Sequence, residues 1–365
     1  MPPDTSLINA PAIDVWVRPE VRAITSYHVP DATGIIKLDA MENPYPWPDS
    51  LKSIWLSRMR RVSVNRYPSP SPMHLKTLLR ETMGIPEGME LLLGNGSDEL
   101  IQMIAMLVAG PGRCLLAPGP TFIMYQMIAI ATGSDFVEVP LQADFRLDGA
   151  AMTAEIEKHQ PAVVFLSYPN NPTGGLFDDE AMRAVLATAP GLVVIDEAYT
   201  AFAQVTKMAW LREYPNLILL GTLSKLGLAG IRLGFGAGHP AWMAELDKLR
   251  LPYNINTLTQ ETAGLALEHI DVFERQVAWI RRDRSRMLEA LSALDGVTVW
   301  PSHANFVLFR TKMEAGLIHG RLREAGILIK NLDGSHPLLA NCLRVTVGKP
   351  EENRAFLDAL RTILA

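Results

Sequence analysis

Lys225 is the residue whose surroundings most directly suggest chemistry. It lies in Gly221-Thr222-Leu223-Ser224-Lys225-Leu226-Gly227-Leu228-Ala229-Gly230-Ile231-Arg232, a stretch that is apolar and glycine-rich apart from two hydroxyls, the lysine and an arginine. Leucine and glycine offer an ammonium little solvation, and desolvation lowers a lysine pKa toward the neutral amine. A neutral amine is the form that attacks a carbonyl to make a Schiff base. Thr222, Ser224 and Arg232 are suitable ligands for a phosphate. An amine that wants a carbonyl, set beside a phosphate site, points to pyridoxal phosphate, an aldehyde with its own phosphate handle. Taken alone, the stretch is better read as a buried lysine stem whose head reaches water, and the rest of the chain must decide.

Four further motifs bear on the choice. Gly94-Asn95-Gly96-Ser97-Asp98-Glu99 follows an apolar run and opens a helix with apolar residues at 100, 104, 107 and 108. A glycine turn at a helix N-terminus presents unpaired N–H groups to an anion, and it is equally an ordinary Ser/Asp cap. With Glu99 where a third glycine would stand, it is not a dinucleotide fingerprint. In Ser167-Tyr168-Pro169-Asn170-Asn171-Pro172-Thr173-Gly174, proline-stiffened turn chemistry holds the Asn171 amide where it could bond a ring oxygen. Val193-Val194-Ile195-Asp196-Glu197-Ala198-Tyr199 ends an apolar run in acids, as a Walker B strand does, but no G-x-x-x-x-G-K-[ST] loop accompanies it. On the pyridoxal reading, Asp196 pairs with the pyridine nitrogen and Tyr199 donates to the phenolate; on the plain reading Asp196 caps the next element. Phe122 could stack on the ring or belong to the core.

These motifs need a scaffold that brings strand ends together. Short apolar runs at 91–93, 114–116, 136–139, 163–167, 193–195 and 217–220 predict buried strands. Helix-length segments at 97–108, 125–132 and 179–188 lie between them, so a mostly parallel α/β sheet flanked by helices is expected. Ligands bind such sheets beyond the carboxyl ends of the strands, where the polar motifs fall. A charged helical stretch over 257–294, then runs at 297–300, 305–309, 327–329 and 342–347 around a helix at 315–325, predict a smaller α+β unit. The expected organisation is an N-terminal arm over 1–35, a large domain over 50–254, and a small domain from 36–49 with 255–365.

Bulk properties narrow the function. With 34 basic and 39 acidic residues, the net charge of −5 argues against a nucleic-acid surface. The apolar runs are too short to span a bilayer. Cys114 and Cys342 stand far apart with no CxxC and no histidine cluster, so neither disulfides nor a metal site is expected, and a cytoplasmic location is. The opening Met1-Pro2-Pro3-Asp4-Thr5-Ser6 does not read as a signal peptide.

In this order the motifs resemble those of fold-type I pyridoxal-phosphate aminotransferases. Leu38-Asp39-Ala40-Met41-Glu42-Asn43-Pro44, Asn65-Arg66-Tyr67-Pro68, Thr222-Leu223-Ser224-Lys225 and Cys342-Leu343-Arg344-Val345-Thr346-Val347-Gly348 resemble the histidinol-phosphate aminotransferase family in particular, a likeness running from about residue 36 to the end. The resemblance implies transfer of an amino group between L-glutamate and imidazole-acetol phosphate, giving 2-oxoglutarate and L-histidinol phosphate in histidine biosynthesis. The alternatives it leaves are an aromatic or broad-range aminotransferase and a threonine-phosphate decarboxylase. It implies Lys225 as the Schiff-base lysine and proton shuttle. Gly96, Ser97, Asp98, Thr222, Ser224 and Arg232 then fall at the phosphate, and Phe122, Asn171, Asp196 and Tyr199 at the ring. Tyr67 would reach the cofactor of a second subunit in a homodimer; Asn43, Tyr67, Asn171, Lys330 and Arg344 would meet substrate. Lys330 stands where many members carry an arginine, and lysine lacks the bidentate fork.

Overall fold

The computed structural model describes residues 13–26 and 29–365; the first twelve residues of the expected arm lie outside it. In chain order the strands are β1 (Ile36–Lys37), β2 (Glu90–Asn95), β3 (Cys114–Gly119), β4 (Asp135–Pro140), β5 (Val163–Ser167), β6 (Leu192–Asp196), β7 (Leu217–Thr222), β8 (Leu233–Gly238), β9 (Val297–Val299), β10 (Phe306–Thr311), β11 (Ile327–Leu328), β12 (Lys330–Asn331) and β13 (Cys342–Thr346). Seven of them form the central sheet in the order β2-β8-β7-β6-β5-β3-β4. Only β8 runs against its neighbours in that sheet. β5 and β6 are buried along their whole length. That burial follows from Val/Ile/Leu-rich runs in strands covered on both faces.

β8 is the strand that apolar runs did not reveal, because Leu233-Gly234-Phe235-Gly236-Ala237-Gly238 is half glycine. The alternation has a packing cause. A Cβ on Gly234 would lie 2.4 Å from the Gly96 carbonyl carbon and the Ser97 nitrogen, and one on Gly236 would lie 3.2 Å from Leu220 Cδ2. Glycine on one face of β8 therefore lets the helix Ser97–Val108 and the turn before it settle against the sheet. That helix buries Leu100, Ile101, Met103, Ile104 and Ala105.

The charged stretch over 257–294 is two helices, Thr257–Glu268 and Ile270–Ser292, interrupted at His269. The first is capped by Asn256, whose side chain accepts from the Thr259 N–H at 2.9 Å. In the second, Phe273, Val277, Ile280, Met287 and Leu291 share one buried face. Helices at Asp49–Met59, Gly149–His159, Pro240–Asp247 and Pro350–Leu364 complete the layers about these sheets.

The second sheet, β12-β13-β10-β9, is antiparallel, and β1 pairs with β11 in parallel. The segment around 36–41 thus joins the C-terminal strands: the Leu38 N–H donates to Leu328 O at 2.7 Å and Thr346 N–H to Leu38 O at 2.8 Å. Asn305 holds the next turn, donating through Nδ2 to Met41 O at 2.9 Å. The chain therefore carries Asp39, Ala40 and Met41 from the small sheet to the mouth of the large one.

Candidate active site

A cavity opens at the carboxyl ends of β2, β5, β6 and β7, walled by Phe122, Ser167, Asn171, Asp196, Tyr199, Thr222, Lys225 and Arg232 among others. Motifs spread over more than 130 residues meet there because parallel strands deliver their last residues to one edge.

One end suits an anion. Gly96, at φ 80°, turns the chain into the helix Ser97–Val108, whose first N–H groups have no partner within the helix. A Cβ on Gly96 would come within 2.8 Å of Arg232 Nη2, so only glycine leaves the guanidinium in place. The Thr222 and Ser224 hydroxyls lie 3.0 Å apart, and Thr222 Oγ1 also accepts the Ser224 N–H at 3.1 Å. Helix N–H groups, two hydroxyls and a guanidinium make a seat for a doubly charged phosphate. The Asp98 side chain has a different job: Arg232 Nη2 donates to its Oδ2 at 3.3 Å. A carboxylate repels phosphate, so Asp98 serves the seat by holding Arg232, with its backbone N–H left for the anion.

Lys225 lines the same cavity as this seat. Its neighbours Leu223 and Leu226 are buried, and its Nζ donates to Ala40 O at 3.3 Å. Burial first, and the Arg344 guanidinium second, bring its pKa down to about 8, against the pull of Glu42 and Asp98. An amine in that range becomes largely available as a base above about pH 8, well below the ordinary lysine range.

The far wall holds Asp196 at the end of β6. Burial pushes its pKa up to about 6, opposed by hydrogen bonds: Tyr125 Oη donates to Oδ2 at 2.9 Å and the Ala198 N–H to Oδ1 at 3.1 Å. Tyr125 was not singled out from sequence. It sits three residues after Phe122 inside an apolar helix, and nothing local distinguishes it from core.

Asn171 and Tyr199 face each other, Nδ2 to Oη at 3.4 Å. The Arg344 guanidinium donates through Nη1 to Asn171 Oδ1 and through Nη2 to Asp39 O at 3.0 Å. Arg344 therefore ties β13 to the cavity rim. Lys330 is its register partner on β12; half-buried, its pKa is lowered by burial and then by Arg344.

Two expected substrate contacts lie elsewhere. Asn43 spends its amide on the scaffold: Nδ2 donates to Leu226 O at 3.0 Å and Gln276 Oε1 at 2.8 Å, while Oδ1 accepts the Tyr45 N–H at 2.9 Å. It fastens the turn after Lys225 to the helix Ile270–Ser292 and does not line the cavity. Tyr67 is 81% exposed and stacks on Tyr253, ring centroids 4.6 Å apart, outside this cavity.

These residues fit pyridoxal phosphate. The anion seat, the buried acid and the flat face of Phe122 surround a lysine of lowered pKa, and Gly96 leaves the close approach that a phosphate needs.

Comparison with known proteins agrees. The family model for aminotransferase class I and II matches residues 33–360. Histidinol-phosphate aminotransferase 1 of Ralstonia nicotianae is 54% identical over 353 residues, covering 95% of this chain and 94% of that protein. Histidinol-phosphate aminotransferase 2 of Cupriavidus pinatubonensis is 52% identical, covering 98% and 99%. In fold, the chain matches the crystal structure of histidinol-phosphate aminotransferase from Sinorhizobium meliloti in complex with pyridoxal-5'-phosphate, with a TM-score of 0.85, 24% identity, and coverage of 95% of this chain and 97% of that one. The chain belongs to the class I and II aminotransferases and, within them, to the histidinol-phosphate aminotransferases.

Proposed function

We propose that the protein moves an amino group between L-glutamate and imidazole-acetol phosphate, forming L-histidinol phosphate for histidine biosynthesis, with pyridoxal phosphate as its cofactor. One observation carries the reading: a buried lysine with its pKa at about 8 shares a single cavity with an anion seat and a buried carboxylate. Bound there, pyridoxal phosphate supplies a carbonyl to take up the amino group and a ring that draws electrons from the bond being broken.

The protein's own groups do the rest. The helix N-terminus at Ser97, the Thr222 and Ser224 hydroxyls and Arg232 hold the phosphate. Asp196 would pair with the ring nitrogen and favour its protonated form, Asn171 and Tyr199 would bond the phenolate oxygen, and Phe122 would cover a ring face. Lys225 would anchor the cofactor through its carbonyl carbon and, with its amine free, would serve as the base that takes the proton from the substrate Cα. Its lowered pKa makes it a base near working pH. Arg344 is suited to bind the α-carboxylate of glutamate and the phosphate of the second substrate in turn, since one guanidinium fork matches either anion. Lys330 adds charge for the phosphate, which carries more of it than a carboxylate.

A homodimer fits this reading, with Tyr67 reaching the phosphate seat of the other subunit. Its high exposure beside Tyr253, Leu251 and Leu258, also exposed, supports that role. The small domain is read as 36–49 with 255–365, and the large one as 50–254. Two buried free cysteines suit the reducing cytoplasm. Borohydride reduction followed by peptide mapping tests the site: the fixed cofactor should be found on Lys225, and a label on any other lysine removes the assignment.

A further inference from the structure

Asp196 needs an explanation that the motif around it does not supply. A carboxylate this deeply buried tends to take up a proton, and a protonated acid cannot serve as an anionic partner. The groups facing it come from every neighbouring element. Ser167 is its register partner on β5, Ala198 donates from the following turn, and Glu197 adjoins it. Asp98, from the helix Ser97–Val108, works against ionisation and Lys225 for it. Tyr125, on the helix Met124–Thr132, donates to Oδ2 at 2.9 Å.

That donor is locked in place. Tyr125 is fully buried, its ring is stacked on Phe165 with centroids 4.7 Å apart and planes 7° from parallel, and Phe122 meets its edge at 5.6 Å. Burial and the neighbouring carboxylate push the phenol pKa well above its ordinary value, so the proton stays on Tyr125.

We propose that Tyr125 is a positioning residue for Asp196, whose hydroxyl keeps the buried carboxylate ionised and turned so that its remaining lone pairs face the cavity. The functional weight of this step rests on Asp196 being the partner of the cofactor's ring nitrogen. The hydrogen bond itself can be tested without that assumption.

Tyr125→Phe removes one oxygen and keeps the stacked ring. The full-length chain, freed of cofactor and labelled at the aspartate carboxyl carbon, is titrated by NMR as the unsubstituted protein and as this variant. The Asp196 midpoint should rise by about one unit or more in the variant, a tenfold tighter hold on the proton. In the unsubstituted protein, the ring carbon bearing the Tyr125 hydroxyl should shift with the Asp196 midpoint, a readout that needs no variant. The Kd for pyridoxal phosphate measured at pH 6, where less of Asp196 is ionised in the variant, should weaken by about fivefold. An Asp196 midpoint that stays put, or a Tyr125 carbon blind to it, overturns the inference. A midpoint that rises while the cofactor Kd is unchanged upholds the hydrogen bond's role and removes Asp196 from the ring-binding set.

Discussion

Burial moves the two central groups of the cavity toward each other on the pH scale, Asp196 up to about 6 and Lys225 down to about 8. Each was legible because a polar residue at the end of an apolar run has few structural reasons to be there. Asp196→Asn keeps shape and removes charge, and turnover should fall roughly 10³-fold, about 4 kcal/mol of electrostatic stabilisation. Near-normal turnover would reduce Asp196 to a cap. The two cations on β12 and β13 divide differently. Arg344→Ala should weaken both half-reactions, each by about 2–5 kcal/mol. Lys330→Ala should slow the phosphorylated substrate and spare glutamate. Single-turnover rates for each half-reaction decide it, and equal slowing of both by Lys330→Ala contradicts the division. Tyr125 and Asn43 mark where reading the residues alone ends. Tyr125 acts through an oxygen aimed at a residue 71 positions away, and Asn43 through an amide satisfied by Gln276, 233 positions away. Partners so remote leave no local pattern.

Among the elements, runs of Val, Ile and Leu announced β5 and β6, whose whole surface is covered, while β8 stayed hidden because its packing depends on missing side chains. Gly234→Ala should therefore be costly. Its Cβ would press on backbone of the Gly96 turn at 2.4 Å, so the strand or the phosphate seat must shift, at about 1–3 kcal/mol or more. Thermal unfolding should show the loss, and cofactor affinity should fall with it. Gly230→Ala, where a Cβ meets nothing within 4 Å, is the matched control and should leave both unchanged. The turn after β6 carries a pH signature of its own. Glu197 accepts from Thr206 Oγ1 at 2.6 Å and from the Lys207 N–H, and burial raises its pKa from 4.5 to about 7. Between those values the folded chain holds more protons than the unfolded one, so this group's contribution to stability falls as pH rises from about 4.5 to 7. Glu197→Gln should remove that part of the slope, about 3 kcal/mol across the window. Denaturant unfolding at several pH values checks it, and an unchanged slope would mean that Glu197 ionises normally.

At the scale of the whole molecule, the proposed homodimer accounts for the exposed stack of Tyr67 on Tyr253. A homodimer in which Tyr67 serves the partner's site makes a specific demand. Mixing Lys225→Ala and Tyr67→Ala chains should restore about a quarter of normal activity, because half the dimers are mixed and each mixed dimer has one intact site. No recovery would place Tyr67 outside the shared site. The second, antiparallel sheet, whose strand β13 carries Arg344, was legible in the apolar runs at 297–300, 305–309 and 342–347. That residues 36–49 belong with the C-terminal part was expected from the resemblance, while the pairing that ties them there, Ile36 with Ile327 and Lys37 with Leu328, is displayed only by the fold. The central claim, a transaminase for a phosphorylated amino alcohol, is tested most directly by one mixing experiment. The cofactor-loaded enzyme is combined with L-histidinol phosphate in a single turnover, and the cofactor's visible absorbance and the released product are followed together. The expected result is complete loss of that absorbance with one equivalent of imidazole-acetol phosphate, and its recovery on adding 2-oxoglutarate. An unchanged spectrum with histidinol phosphate, together with release of carbon dioxide from threonine phosphate, would contradict the account.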